Sequence, residues 1–164
     1  MQPEREPREG AGFRVDLERA RGSDPVRGDA EREAAHAPIA HAQGVEVRRA
    51  DFVIVRTGQM EDRLRKGEWG GYAGGPAPGL AFETLDWIHG RQIAGVCSDT
   101  WGTEARPNHT APDVFQPWHW VTIPAIGIVH GEIFYLEELA ADCAADRVYE
   151  FFFCAPPLVI TRGT

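Results

Sequence analysis

The sequence predicts an α/β fold. Residues 51–57 (DFVIVRT) form a continuous β-branched and aromatic run, and residues 93–97 (IAGVC) form a second apolar run. Both read as buried strands, and segments of helical periodicity separate and follow them. The 164 residues, 43% of them hydrophobic, suit one domain with a sizeable core.

Residues 1–12 are polar, charged and rich in Pro and Gly, and are expected to form a disordered tail. Residues 13–43 are harder to place. A short strand is expected at 15–17, and the Ala- and charge-rich stretch 29–42 has helical composition, although Pro38 interrupts it. Gly44 reads as a helix stop. After the strand at 51–57, residues 67–79 contain six glycines and two prolines and are expected to form a long loop. A helix is expected over 80–91, with Ala81, Leu85 and Ile88 on one face. The strand at 93–97 ends in Ser98-Asp99-Thr100-Trp101, and residues 102–113 read as loop. A short helix is expected over 114–121, ending before Pro124, and a third strand over 126–129. Residues 136–144 have the clearest helical spacing, through Leu136, Leu139, Ala140, Cys143 and Ala144. A fourth strand is expected at 149–154 and a further one at 158–161; no internal repeat is present.

The net charge of -8 argues against nucleic-acid and acidic-membrane partners, which need clustered Lys and Arg. No stretch reaches the length of a membrane span, and the acidic N-terminus lacks a signal peptide's apolar centre. Cys97, Cys143 and Cys154 have no C-x-x-C spacing and read as structural thiols in a reducing cytoplasm.

Several segments carry a family resemblance by their order. These are residues 43–47 (QGVEV), the strand with its Arg56-Thr57-Gly58 exit, Pro78-Gly79-Leu80, and the strand with its Ser98-Asp99-Thr100 exit. They continue with residues 113–119 (DVFQPWH), 131–139 (GEIFYLEEL) and 151–158 (FFFCAPPL). Together they resemble the cyclase family of metal-dependent amide hydrolases, which includes the bacterial kynurenine formamidases. The resemblance covers about two thirds of the chain. It implies the swivelling β/β/α fold, with one cyclase-like domain over 13–164, divergent at 13–43 and family-like at 44–164. The family's early His-x-Gly-Thr-His-x-Asp-x-x-x-His metal segment does not occur, so an N-terminally truncated version of the fold is expected.

The resemblance also assigns residues. His119 and Glu132 would be the catalytic pair and the metal ligands, converging on one cavity to hold a zinc or manganese ion. The other reading of His119 is a packed imidazole at a helix start, and of Glu132 a helix cap. Asp99 stands at the exit of a strand, where α/β folds put their ligands, or closes that strand as an Asx-turn. Trp69 and Tyr72 would make the glycine-rich loop an aromatic flap, and Trp118 flanks His119; these three and Asp99 are expected as substrate contacts. His130 stands where the relatives carry an apolar residue; it either lines the site or has a partly buried structural role, the second being the expectation. Glu137 and Glu138 match the dipole of their helix.

The function implied is metal-assisted hydrolysis of a small aromatic amide of the N-formylkynurenine type, or of a cyclic amide, by a cytoplasmic homodimer. The alternative is an inactive homologue serving as a binding or dimerisation domain, with the metal absent.

Overall fold

Residues 12–16, 40, 43–110, 112–156, 159 and 161 are described by the computed structural model. Five strands form one sheet: β1 (Gly12–Asp16), β2 (Phe52–Arg56), β3 (Gly95–Ser98), β4 (Val129–Gly131) and β5 (Glu150–Phe151), in the order β4-β3-β2-β1-β5. The four strands from β1 to β4 run parallel, and β5 pairs antiparallel with β1 at the edge.

Alternation along β2 builds two cores, because successive side chains of a strand point to opposite faces. Val53 and Val55 join Val96, Ile88, Leu80 and Trp118 on one face. Ile54 joins Cys97 and Leu136 on the other, with Phe52, Phe134, Leu139, Phe151 and Phe153 at its margin. The continuous apolar run of β2 thus reflects burial on both faces, as expected for a central parallel strand.

Between β2 and β3 lie α1 (Gln59–Lys66), a 3₁₀ turn at Phe82–Thr84 and α2 (Leu85–Arg91). Then follow α3 (Pro117–Val121), a π-helical turn at Thr122–Ile126 and, after β4, α4 (Glu137–Asp146). The α/β class expected from the sequence is the class observed.

Boundaries differ from expectation in instructive ways. The periodic stretch 80–91 begins as a 3₁₀ turn, and only Leu85–Arg91 is α-helical. The helix expected to stop before Pro124 continues through it as a π turn. Proline lacks an N–H and crowds the carbonyl four residues back, and a wider turn accommodates both. That turn occupies Ile126, so the third expected strand starts later, at Val129. The fourth is reduced to Glu150–Phe151. β1 begins at Gly12, inside the expected tail; residues 1–11, 17–39 and, of the expected 158–161 strand, residues 158 and 160 lie outside the described residues.

Helix α1 was not expected, because QMEDRLRK has no apolar stripe. Charge order and a glycine stop specify it instead. Glu61 and Asp62 stand in the first turn, Arg63, Arg65 and Lys66 in the last, and Gly67 closes it in the left-handed conformation. Asp62 pairs with both Arg65 and Lys66 at 2.6 Å. Cys97 and Cys143 are buried and Cys154 is exposed, all unpaired. Burial pushes the Cys97 thiol up to about 11, so it is unreactive.

Ile88 is fully buried between the sheet and α2. Truncating it to alanine leaves a cavity, and Ile88→Ala should cost about 2–5 kcal/mol, read as a lower urea midpoint with an unchanged m-value.

Candidate active site

The site is built where β3, β4 and α3 converge. Glu104 lies in the loop after β3, with only 1% of its surface exposed. Its backbone is held by Leu80: Leu80 N–H donates to the Thr103 carbonyl and Ala105 N–H to the Leu80 carbonyl, both at 2.9 Å. Gly79 permits this approach, since a Cβ there would collide with the backbone of Thr103 and Glu104. The Glu104 carboxylate then organises the start of α3. Its two oxygens accept the backbone N–H groups of Trp118 at 3.2 Å and His119 at 3.3 Å, donors that a helix start leaves without intrahelical partners.

The same carboxylate holds the His119 ring, with Nδ1 at 2.6 Å. The opposite ring nitrogen, Nε2, lies 2.9 Å from Oε1 of Glu132. Glu132 follows β4 directly. Gly131 brings it close to β3, where an added Cβ would meet Cys97 Sγ and the Phe134 ring. The next two N–H groups tie the loop down: Ile133 donates to the Thr100 carbonyl and Phe134 to the Ser98 carbonyl, each at 3.0 Å. The imidazole is thereby clamped between two carboxylates, one buried and one 30% exposed. Burial on its own would lower the His119 pKa. The hydrogen bonds and charges of Glu104 and Glu132 outweigh it and raise the value from 6.5 to about 9.

Two β-branched residues next to these carboxylates have left-handed backbones, Thr103 (φ 54) before Glu104 and Ile133 (φ 62) after Glu132. Such residues avoid this region, and strained positions of this kind cluster at functional sites.

His130 joins the group, its ring centroid 4.8 Å from that of His119. Its tautomer follows from its neighbours. Thr122 Oγ1 has one proton, which it donates to the Trp118 carbonyl at 2.8 Å, an acceptor only. Oγ1 must therefore accept from His130 Nε2–H at 2.9 Å. Nδ1 is left with a bare lone pair, buried and without a partner among the described residues. Burial first, then the His119 charge, pulls the His130 pKa from 6.5 down to about 4, so the ring is neutral.

Among the described residues, His119, His130 and Glu132 each offer one ligand atom, all within 4.8 Å of one another. Two imidazoles and a carboxylate suit zinc and other divalent first-row metals. The 2.9 Å between Nε2 and Oε1 is compatible with two donors each roughly 2.0–2.2 Å from one ion. Each histidine has its other nitrogen fixed by Glu104 or Thr122, the usual arrangement behind a metal-binding imidazole. The residues present therefore fit a divalent metal.

The expected substrate contacts fare differently. Trp118 is fully buried in the core and its Nε1 donates to Thr84 Oγ1 at 3.0 Å, so it packs beneath His119 instead of lining the surface. Asp99 is also fully buried. It accepts Thr57 N–H and Oγ1–H on Oδ1 at 2.7 and 2.8 Å and Gly58 N–H on Oδ2 at 2.8 Å. It ties the exit of β2 to that of β3. Tyr72 is buried and its hydroxyl donates to the Asp99 carbonyl at 2.8 Å. Burial, then the charges of Asp99 and Glu132, raises its pKa to about 12. Trp69 is half-exposed and meets Tyr72 edge-on at 5.2 Å. Glu137, read as a dipole-matching residue, additionally forms a bidentate pair with Arg56 at 2.5–3.1 Å.

Sequence reasoning missed Glu104, and it gave His130 a place in the site only as the lesser of two readings. Glu104 sits in the polar loop Trp101-Gly102-Thr103-Glu104, with no periodicity to mark it.

The model of the cyclase family matches residues 10–105, more than half of the chain. A crystal structure described as a novel cyclase is 30% identical and superposes with a TM-score of 0.70, covering 92% of this chain and 49% of that one. No curated protein matches. The chain belongs to the cyclase family. It spans about half the length of the solved relative.

Two outcomes follow for the metal-free protein. A raised folded pKa stabilises below the unfolded value and is lost as pH climbs through the folded one. His119 therefore makes stability fall between pH 6.5 and about 9. His130, depressed, makes it fall as pH drops from 6.5 toward about 4. Urea titrations across pH should peak near 6.5, with the alkaline slope flattened in His119→Asn. Glu104→Ala should lose about 3–5 kcal/mol, because it strips a buried ionic cluster of one partner.

Proposed function

We propose that this protein is a metal-dependent hydrolase of a small aromatic amide, of the N-formyl aniline type. The observation that carries the reading is the grouping of His119, His130 and Glu132, which each offer one ligand atom within 4.8 Å of the others, with His119 Nε2 2.9 Å from Glu132 Oε1. His119, His130 and Glu132 would hold a zinc or manganese ion. Such an ion supplies Lewis acidity for the amide carbonyl and a lower pKa for water.

The chain's own groups do the rest. Glu104 keeps a proton on His119 Nδ1 and so aims Nε2 outward; Thr122 does the same for His130 through the opposite nitrogen. Glu132, with 30% of its side chain exposed, reaches both the cluster and solvent. It takes the proton from the attacking water and returns it to the leaving amine as the C–N bond breaks. A cytoplasmic location and a homodimer belong to the same proposal. Among the described residues no helix is long and apolar enough to cross a membrane.

A second reading is favoured by one observation. The His-x-Gly-Thr-His-x-Asp-x-x-x-His segment is missing from the 164 residues, which would leave a binding or dimerisation domain without catalysis.

Equilibrium dialysis against zinc and manganese separates them. The hydrolase reading expects about one ion per chain, lost in His119→Asn and Glu132→Gln, together with release of formate from formanilide. A metal content near zero after loading would exclude metallohydrolase chemistry and leave the second reading.

A further inference from the structure

The composition of β4 and its place in the sheet disagree. Residues 126–131 (IGIVHG) are apolar and without Asp, Glu, Lys or Arg, the pattern of a strand buried on both faces. Yet β4 stands at the edge of the sheet, with β3 as its one neighbour among the described residues. Edge strands are ordinarily blunted by lysine, proline or an inward charge, and β4 carries none of these. Register decides where its side chains go. His130 stands opposite Val96 and faces the first core, its ring 5.0 Å from that of Trp118. Val129, one residue earlier, faces the other side of the sheet and is 57% exposed there. Val129 N–H donates toward β3, to the Ala94 carbonyl at 3.1 Å. Successive residues of a strand turn their N–H and C=O to opposite sides, so the backbone of His130 faces the free edge.

The surroundings repeat the pattern. The π turn lies beside β4, since Ile128 N–H donates to the Thr122 carbonyl at 2.9 Å. Ile123 in that turn and Trp120 one helical turn before it are 50% and 71% exposed. Exposed apolar side chains thus flank the edge on both faces of the sheet. Single exposed apolar residues are ordinary, but seven of the twelve large ones among the described residues fall within residues 114–135. That stretch has one charged residue, Glu132, in a chain where 26% are charged.

Charge selects the occupant. Two chains of net charge -8 repel each other, and at physiological salt the charges within about 8 Å of a contact dominate that repulsion. Copies therefore meet most readily where neither carries charge. The β4 edge is such a place, whereas β5 at the opposite edge carries Glu150. A basic partner would be drawn to an acidic surface instead. A two-fold axis perpendicular to the sheet sets identical edges antiparallel, so a free, uncharged strand is complementary to itself.

We infer that β4 pairs antiparallel with β4 of a second copy, joining the two five-stranded sheets across a contact that Trp120, Ile123 and Val129 cover. This names the contact of the proposed homodimer and rests on that homodimer, not on the hydrolytic chemistry. His130 lies on the pairing strand and Glu132 directly follows it, so each His119–His130–Glu132 cluster borders the contact.

Sedimentation velocity of the full chain tests the pairing. Wild type should sediment as a dimer. Val129→Glu and Val129→Lys, at an exposed position, should each weaken association about a hundredfold or more, because the two-fold sets like charges against each other. Mixing the two variants in equal amounts should restore a dimer, since opposite charges then meet, and this also shows that both are folded. Leu64→Glu, exposed on α1, should leave the dimer intact. Wild type that stays monomeric at about 100 μM leaves the edge to some other partner and overturns the pairing. A dimer that persists in both Val129 variants, or a mixture that fails to associate, overturns it as well. Zinc uptake is read by dialysis on the same samples. A dimer without metal sinks only the hydrolase reading, metal without a dimer sinks only the homodimer and its contact, and a dimer indifferent to Val129 sinks only the contact.

Discussion

A single buried carboxylate organises the site. Glu104, nearly sealed from solvent, receives two N–H donors from the start of α3 and one from the ring of His119. A charge taken this far out of water is tolerated only where several donors meet it. Those donors come from residues 14 and 15 positions later in the chain, so the loop after β3 and the helix α3 are mutually required. Once this contact forms, the imidazole has one orientation, and its outer nitrogen faces Glu132.

The rest of the geometry serves the same point. The exits of β3 and β2 are joined through Asp99, and the exit of β3 also accepts the N–H groups of Ile133 and Phe134. Three strand ends thus become one rigid rim. Left-handed Thr103 and Ile133 flank the two carboxylates, an arrangement that surrounding hydrogen bonds must over-determine. The neutral, tautomer-fixed His130 and the cationic His119 sit 4.8 Å apart with opposite pKa shifts. Environments that push neighbouring titratable groups apart are typical of acid–base and metal sites.

Arg106 extends this rim outward. The loop that contributes Glu104 to the imidazole contributes, two residues on, a guanidinium stacked on Trp101 and Phe115.

Much of the fold was legible in the amino-acid order. The β-branched run of β2 and the i, i+3, i+4 spacing of α4 depend on local periodicity, and burial follows from it directly. His119 and Glu132 were legible through the order of motifs around them. Helix α1, with only Met60 and Leu64 apolar, and the π turn over Pro124 were not, because charge order and a widened hydrogen-bond pattern leave no apolar period. Trp118 and Asp99 looked like site residues from their neighbours in sequence, yet tertiary packing gives one to the core and the other to a strand junction. Glu104, His130 and Arg106 acquire their meaning only from what folding sets against them. Sequence alone determined which segments are buried, since burial is a property of local pattern. Only the tertiary structure decided which polar groups share a proton or a ligand, since those partners lie far apart in the chain and are matched by distance and direction.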